Sequence, residues 1–344
     1  MLVEDSLVVR QLLSHIVTRD SRLQLAAAVG SAEEALRELP RIRPDVISMD
    51  IRLPGMDGLE ATRRIMAAQP TPIVVIADAI EDASLHISMN ALRAGALSVV
   101  EKPVGAWTSG YERIAGTICT QLFIMSQVPV IRRRGPGISR PELVRDLAVT
   151  GEGQGRPSVL AIAASTGGPP ALAQVLGSLP KDFPLPVLVV QHMGSPFMEG
   201  FAAWLDGLVP MPVALAQDGK AARPGHVHVA PGDRHLVLGT GGILRTTLDR
   251  PLASQRPSAT VLFQSVAEAA GSQAIGVLMT GMGEDGAAGL LAMRRAGALT
   301  ITEHESTAVV NGMPAAAARI GASMQSLPLP LIGPRLLAIL EQMA

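Results

Sequence analysis

The chain has 344 residues, with 29 Lys and Arg against 30 Asp and Glu, a formal charge of −1, one Cys, and only two Trp, one Tyr and five Phe. That length favours about two domains of roughly 150 residues, each able to bury its own core. Balanced charge, no basic cluster with interleaved aromatics and few stacking rings argue against a nucleic-acid-binding surface.

No run of about 20 residues escapes interruption by Gly, Pro or polar residues, so no membrane insertion is expected. The opening Met1-Leu-Val-Glu-Asp puts acids where a secretory signal carries basic residues. The lone Cys119 has no partner for an intramolecular disulfide. Together these features point to the cytoplasm.

From Leu2 to about Met125 short apolar runs alternate with helical patterns, the sequence form of a (βα)5 unit around a parallel sheet. The expected strands are Leu2–Val3, Leu23–Ala28, Val46–Met49, Ile73–Ala77 and Leu97–Val100. Between the last two, Leu85, Met89 and Leu92 share one helical face. Five strands and five helices are predicted. In a parallel sheet, side chains just past the strand ends converge at one edge, which gathers Glu4, Asp5, Asp50 and Lys102. A single acid at such a junction is accounted for by helix capping. Three acids and a Lys at three separate strand ends suit a hard cation such as Mg²⁺, held through oxygen, with Lys102 as a point charge for a phosphoryl oxygen.

Residues 126–156 break the rhythm with Arg132-Arg-Arg, Gly135-Pro-Gly and Gly151-Glu-Gly-Gln-Gly, and read as a linker with a helical turn around Glu142–Leu147. Three arginines are a thin case for an anionic partner, and a solvated linker accounts for them. From residue 157 to 344 a second α/β domain resumes, mainly parallel and doubly wound with Rossmann-like topology. Its expected strands are Val159–Ala163, Val187–Gln191, Val227–Ala230 and Ala274–Thr280.

The first of these runs into Ala164-Ser165-Thr166-Gly167-Gly168-Pro169 and then a helical pattern. Such a turn exposes a serine beside helix-start N–H groups, and equally describes a phosphate-binding nest. His192 follows the second strand and Asp285 the last. Ser, His and Asp at three ends of one parallel sheet are what a nucleophile, its base and the orienting carboxylate require. Their chain order differs from the Ser-Asp-His order of α/β-hydrolases. Backbone N–H groups near Thr166 and Met282 are the candidates for an oxyanion hole. His226 and His228 alternate on a strand without a third ligand nearby, so an edge or surface strand explains them better than a metal pair. His235 is placed along the cleft without a part in the chemistry, and Met282 and Met313 either flank the serine or fill gaps in the packing.

Residues 1–125 resemble the receiver domain of two-component response regulators, through Glu4-Asp5-Ser6, Pro44-Asp45-Val46-Ile47-Ser48-Met49-Asp50, Leu53-Pro54-Gly55-Met56-Asp57-Gly58, Gly95-Ala96 and Glu101-Lys102-Pro103. The resemblance implies that Asp50 accepts a phosphoryl group from a histidine kinase, with Glu4, Asp5 and Asp50 on Mg²⁺ and Lys102 on the phosphate. Two features depart from the pattern. Ile76-Ala77-Asp78 lacks the Ser or Thr that usually follows the fourth strand, and only three residues precede the acidic pair, so either the start lies upstream or the first strand is weakly anchored.

Residues 159–320 resemble the chemotaxis protein-glutamate methylesterase (CheB) catalytic domain, through Ala164–Pro169, Gln191-His192-Met193, Pro224-Gly225-His226, Ala230-Pro231-Gly232-Asp233, Arg256-Pro257-Ser258, Thr280-Gly281-Met282-Gly283, Asp285-Gly286-Ala287 and Gly312-Met313-Pro314. The resemblance implies hydrolysis of glutamate methyl esters on methyl-accepting chemoreceptors, deamidation of receptor glutamines, a chemotaxis histidine kinase as phosphodonor, and no cofactor in the catalytic domain. It also implies that the unphosphorylated receiver restrains the esterase, so that the missing hydroxyl at Ala77 weakens phospho-activation. Departures are Ala163 in place of a usual Gly, Ala259-Thr260 where an Asp is common, and Gly194-Ser195-Pro196-Phe197 in place of a Pro-rich turn. The rival readings are a receiver-linked scaffold without esterase turnover and a nucleotide-binding regulator. The latter lacks a P-loop Lys or an acid at the ribose position.

Overall fold

The computed structural model describes residues 1–77, 90–92, 94–103, 111–128 and 156–342. Two compact units, Met1–Arg134 and Gly135–Ala344, divide within the stretch outside the described residues. That stretch includes the arginine triplet and the turn expected around Glu142–Leu147.

The first unit is a five-stranded parallel sheet of β1 (Leu2–Val3), β2 (Ala28–Val29), β3 (Ile47–Met49), β4 (Ile73–Ala77) and β5 (Ser98–Glu101), in the order β2-β1-β3-β4-β5. Helices Leu7–Arg19, Ala32–Ile42, Gly58–Ala68 and Tyr111–Met125 accompany it. Ser6, Ser31 and Asp57 start the first three by accepting an N–H from the first turn. Residues 90–92 are helical, but Leu85 and Met89 of the expected fourth helix lie outside the described residues.

The second strand starts later than predicted, at Ala28 instead of Leu23, because residues 23–27 carry no ladder. Short as it is, β1 pairs on both sides, Leu2 with Ala28 and Ser48, Val3 with Val29 and Met49. Cys119, the single cysteine, is buried on the helix Tyr111–Met125 and its thiol donates to the Ile16 carbonyl at 3.6 Å. Burial pushes the thiol pKa up to about 11.

The second unit is built on a seven-stranded sheet, all of it parallel, in the order β14-β13-β12-β6-β7-β9-β8. Its strands are β6 (Val159–Ala164), β7 (Val187–Gln191), β8 (Val213–Leu215), β9 (Val227–Val229), β12 (Ala274–Leu278), β13 (Leu299–Glu303) and β14 (Gln325–Leu327). The chain builds outward from β6 through β7 and then returns to place β12 on its other side. Exits from adjacent strands therefore diverge and leave a crevice at the carboxyl edge.

Val159, Ala161 and Ala163 on one face of β6 join the core formed with Leu262, Phe263 and Leu290. Leu160 and Ile162, pointing the other way, are equally buried, so both faces of the sheet are covered. An antiparallel hairpin of β10 (His235–Leu238) and β11 (Leu244–Thr247) stands outside the sheet. β8, β10, β11, β13 and β14 were not among the predicted strands. β8 and β14 have three residues each, too few to show a period, and Leu299–Glu303 mixes Thr and Glu into a buried strand.

Helices Ala259–Ala270 and Ala287–Arg295 pack so closely that a Cβ on Gly289 would lie 2.6 Å from the Thr260 carbonyl oxygen and 2.8 Å from Phe263 Cβ. Gly289→Ala must separate them, and is expected to cost about 1–3 kcal/mol in the denaturation of the intact protein. Wild-type stability would show that the contact has slack.

Candidate active site

Strand register sets the site of the second unit. Ala164 pairs with Gln191 and Ala163 with Leu278, so Ser165, His192 and the loop after β12 leave the sheet side by side. Ser165 donates its backbone N–H to Thr280 O at 2.9 Å, and His192 donates its own to Ala164 O at 3.0 Å. The turn closes with Gly168 N–H on Ser165 O, and Gly167 takes φ +75°, a conformation open to glycine at little strain. A Cβ there would also collide with Val309. Pro169 then opens the helix Gly168–Gly177, where its missing N–H costs nothing.

His192 Nε2 lies 2.8 Å from Asp285 Oδ2, and both side chains are buried. An ionised carboxylate only accepts, so Nε2 carries a proton, and in the neutral imidazole Nδ1 is then the bare nitrogen. Nδ1 has no partner among the described residues. Ser165 is half-buried beside this pair, and no hydrogen bond joins its Oγ to the ring among the described residues.

Asp285 is held from every side. It accepts from Ser258 Oγ at 2.8 Å, Ala259 N–H at 2.7 Å, Thr260 N–H at 3.0 Å and its neighbour Gly286 N–H at 3.0 Å. Three of these donors form the N-terminus of the helix Ala259–Ala270, where the helix dipole favours negative charge. Burial alone would push the Asp285 pKa up; His192, Thr260 and Ser258 outweigh it and hold the carboxyl well below the usual range.

Ser258 is placed in turn by His235, whose Nδ1 accepts the Ser258 N–H at 3.1 Å while Nε2 bonds Arg250 O at 3.2 Å. His235 is fully buried, so it supports the helix start and does not line the cleft as the sequence suggested. Neither Thr166 nor Met282 gives its N–H to an acceptor among the described residues, which leaves both amides able to donate. Met282 is exposed, whereas Met313 is buried with Gly281 wedged between its sulfur and Ser165.

Gln191 was missed as a positioning residue. Its side-chain amide donates to both Ser165 O and His192 O at 2.8 and 2.9 Å, stitching two strand exits together. His228 lies on β9, between β7 and β8 and so not on an edge strand, and His226 sits in the turn before it. The rings stack 6.3 Å apart, and His228 Nε2 accepts the Arg223 N–H. Burial above all brings the His228 pKa down to about 4, so it is neutral.

In the first unit, the register Val3 with Met49 sets Glu4 beside Asp50, and Lys102 N–H bonds Ala77 O at the next pair of strands. Lys102 Nζ reaches Asp50 Oδ2 at 2.8 Å and Glu4 Oε2 at 3.0 Å. Burial raises the pKa of both acids, and repulsion from Asp50 adds to the rise at Glu4; Lys102 opposes both shifts. For Lys102 burial works downward, but the two carboxylates win and its pKa is raised. One oxygen each from Glu4, Asp5 and Asp50 lies within 4.8 Å of the others. That oxygen-only donor set, with Asp5 exposed on the solvent side, fits a hard divalent cation. Ala77 is buried at the end of β4 and brings no hydroxyl to the cluster.

Each of the two units matches a known family. The family model for the CheB methylesterase matches residues 160–336, and that for the response regulator receiver domain matches residues 1–108. The protein-glutamate methylesterase/protein-glutamine glutaminase 2 of Paramagnetospirillum magneticum is 54% identical over 341 residues, 98% of this chain and 96% of the relative. The chain belongs to the CheB methylesterase family. A protein-glutamate methylesterase/protein-glutamine glutaminase of Syntrophus aciditrophicus is 43% identical over 330 residues, covering 95% of this chain and 94% of the relative. The crystal structure of the Thermotoga maritima CheB methylesterase catalytic domain superposes with a TM-score of 0.51 at 34% identity, over 54% of this chain and 98% of that one. No helix among the described residues is long and apolar enough to cross a membrane.

The depressed Asp285 pKa has a testable sign. A carboxyl lowered from its unfolded value near about 4 contributes stability that is fully present above that value and is lost as pH falls toward the folded pKa. Asp285→Asn is therefore expected to cost about 1–3 kcal/mol. The gap in melting temperature should be constant from about pH 8 to about pH 5 and close only in more acid solution. A gap that already narrows near pH 6 would contradict the depressed pKa.

Proposed function

We propose that this protein hydrolyses glutamate methyl esters on the cytoplasmic domains of chemoreceptors, and deamidates receptor glutamines, with Ser165, His192 and Asp285 as its catalytic residues and Asp50 as its phosphorylation site. The observation that carries the reading is the 2.8 Å bond from His192 to an ionised Asp285 on the strand exits flanking Ser165. A scaffold without turnover leaves that constellation unexplained.

Ser165 Oγ attacks the ester carbonyl carbon while His192 Nδ1 takes its proton, and Asp285 stabilises the imidazolium through the Nε2–H bond. The tetrahedral intermediate carries an oxyanion, for which the Thr166 and Met282 amides are the proposed donors. His192 returns the proton to the departing methoxide, releasing methanol and leaving an acyl-serine. A water molecule, deprotonated by the same Nδ1, attacks that ester, and the glutamate carboxylate leaves as Ser165 regains its proton. With an amide substrate the same steps release ammonia.

In the receiver, Asp50 offers a carboxylate oxygen to the incoming phosphoryl group, and Glu4, Asp5 and Asp50 are the residues that would hold Mg²⁺. The cation would neutralise the gathered negative charge of carboxylates and phosphoryl oxygens. Lys102 pairs with a phosphoryl oxygen by exchanging its present carboxylate partners. The phosphodonor is a chemotaxis histidine kinase. Domain bounds of 1–125, 126–156 and 157–344 are part of this reading.

Ser165→Ala is expected to abolish methanol release from methylated receptor, a loss on the order of 10⁶-fold, with the fold intact by circular dichroism. Turnover retained in that variant would overturn the triad. With acetyl phosphate and Mg²⁺ the wild type should become labelled and Asp50→Asn should not. Phosphodonor is expected to raise turnover only weakly, and Ala77→Ser to strengthen the response, because one hydrogen bond to a charged group is worth about 1.5–3 kcal/mol. A strong response that Ala77→Ser leaves unchanged would make the missing hydroxyl irrelevant.

A further inference from the structure

Glu303 ends β13 with 1% of its surface exposed, and no role above is assigned to it. Its Oε2 accepts the backbone N–H of Thr280 at 2.9 Å, and its Oε1 makes no hydrogen bond. Burial pushes its pKa up, with the Thr280 N–H and the nearby Thr307 hydroxyl offsetting this only in part. A carboxyl placed in the interior with one oxygen unmatched is costly, and satisfying one amide does not by itself require it.

Thr280, however, is where the nucleophile turn is fastened. Leu278 pairs with Thr302 as the last step of the β12–β13 ladder, so Thr280 lies beyond the strand and takes its acceptor from the Glu303 side chain instead. The Thr280 carbonyl receives the Ser165 N–H at 2.9 Å. Its hydroxyl donates to Thr166 O at 2.8 Å and accepts the Val310 N–H at 2.9 Å. One residue thus grips the peptide units on either side of the Ser165–Thr166 peptide, which carries the Thr166 amide.

We infer that Glu303 is a positioning residue for this hydrolase, which through Thr280 fixes the nucleophile and its oxyanion amide relative to His192. The inference rests on the triad reading above. A shift of about 1 Å in such a constellation is worth up to roughly 10²-fold in rate, and it acts on the chemical step more than on receptor binding.

The test uses the full chain with methylated receptor, well below the melting temperature, after Ser165→Ala has shown that turnover depends on the serine. If that control keeps its turnover, the triad reading fails first and the inference with it. Given a serine-dependent rate, Glu303→Leu, which removes the acceptor at similar volume, should lower kcat about 10- to 100-fold with KM within about twofold. Glu303→Gln retains an acceptor oxygen and should restore most of kcat. The rate of covalent labelling of Ser165 by a fluorophosphonate should follow the same order. Thr280→Val leaves the backbone N–H hydrogen bond to Glu303 but deletes the grip on Thr166, and is expected to lower kcat without raising KM; it decides the matter if Glu303→Leu does not fold. Wild-type kcat in Glu303→Leu or in Thr280→Val, or a Glu303→Gln variant as slow as Glu303→Leu, overturns the inference while leaving the triad standing.

Discussion

The catalytic unit depends on how one carboxylate is kept charged out of water. Asp285 collects four N–H or O–H donors besides the imidazole, most of them from the first turn of the helix Ala259–Ala270. Four helix-start and loop donors replace the water a carboxylate loses on burial, so its charge is available to the histidine. Every layer behind it serves that placement. His235 seats Ser258, Gly289 lets the neighbouring helix approach, and Thr260 Oγ1 accepts the Gly286 N–H that turns the chain after Asp285.

The receiver solves the opposite problem. Its acids converge with fewer donors each, the Ser6 N–H on Glu4 and the Ile51 and Arg52 N–H groups on Asp50, and a single ammonium, Lys102, spans Glu4 and Asp50. Raised carboxylate pKa values on one side and a depressed one on the other follow from this difference in donors, although all these acids are buried at parallel-sheet edges. The acidic cluster, the proposed seat of a cation and a phosphoryl group, is left short of positive charge. A site that must keep one fixed anion is saturated with donors.

Much of this was legible in the sequence, for physical reasons that differ by element. β6, β7 and β4 are continuous apolar runs buried on both faces, and their ends could be read to within a residue. Once those ends are known, a parallel sheet dictates that Ser165, His192 and the loop with Asp285 meet. Less visible were the residues whose partners are set by tertiary packing. Gln191 belongs to a quoted motif, but nothing in its neighbours says that its amide bridges two carbonyls. His235 looks like any histidine after a turn, and only the packed helix start reveals its role. Glu303 lies on a strand that its own mix of Thr and Glu conceals, and nothing in its neighbours sets its carboxyl apart. β8 and β14 are too short for periodicity, and β9 passed for an edge because the strand that covers it was not recognised.

The single thiol has a practical consequence. Cys119 is buried against the helix Leu7–Arg19, and with a pKa near 11 it is almost wholly protonated in neutral solution. Thiol reagents that act through the thiolate find no native target in the folded protein. A cysteine introduced on the surface of each unit would carry a dye or spin label with negligible background, without first removing a native residue. The distance between the two units, with and without a phosphodonor, is therefore open to direct spectroscopic measurement in the intact wild-type framework.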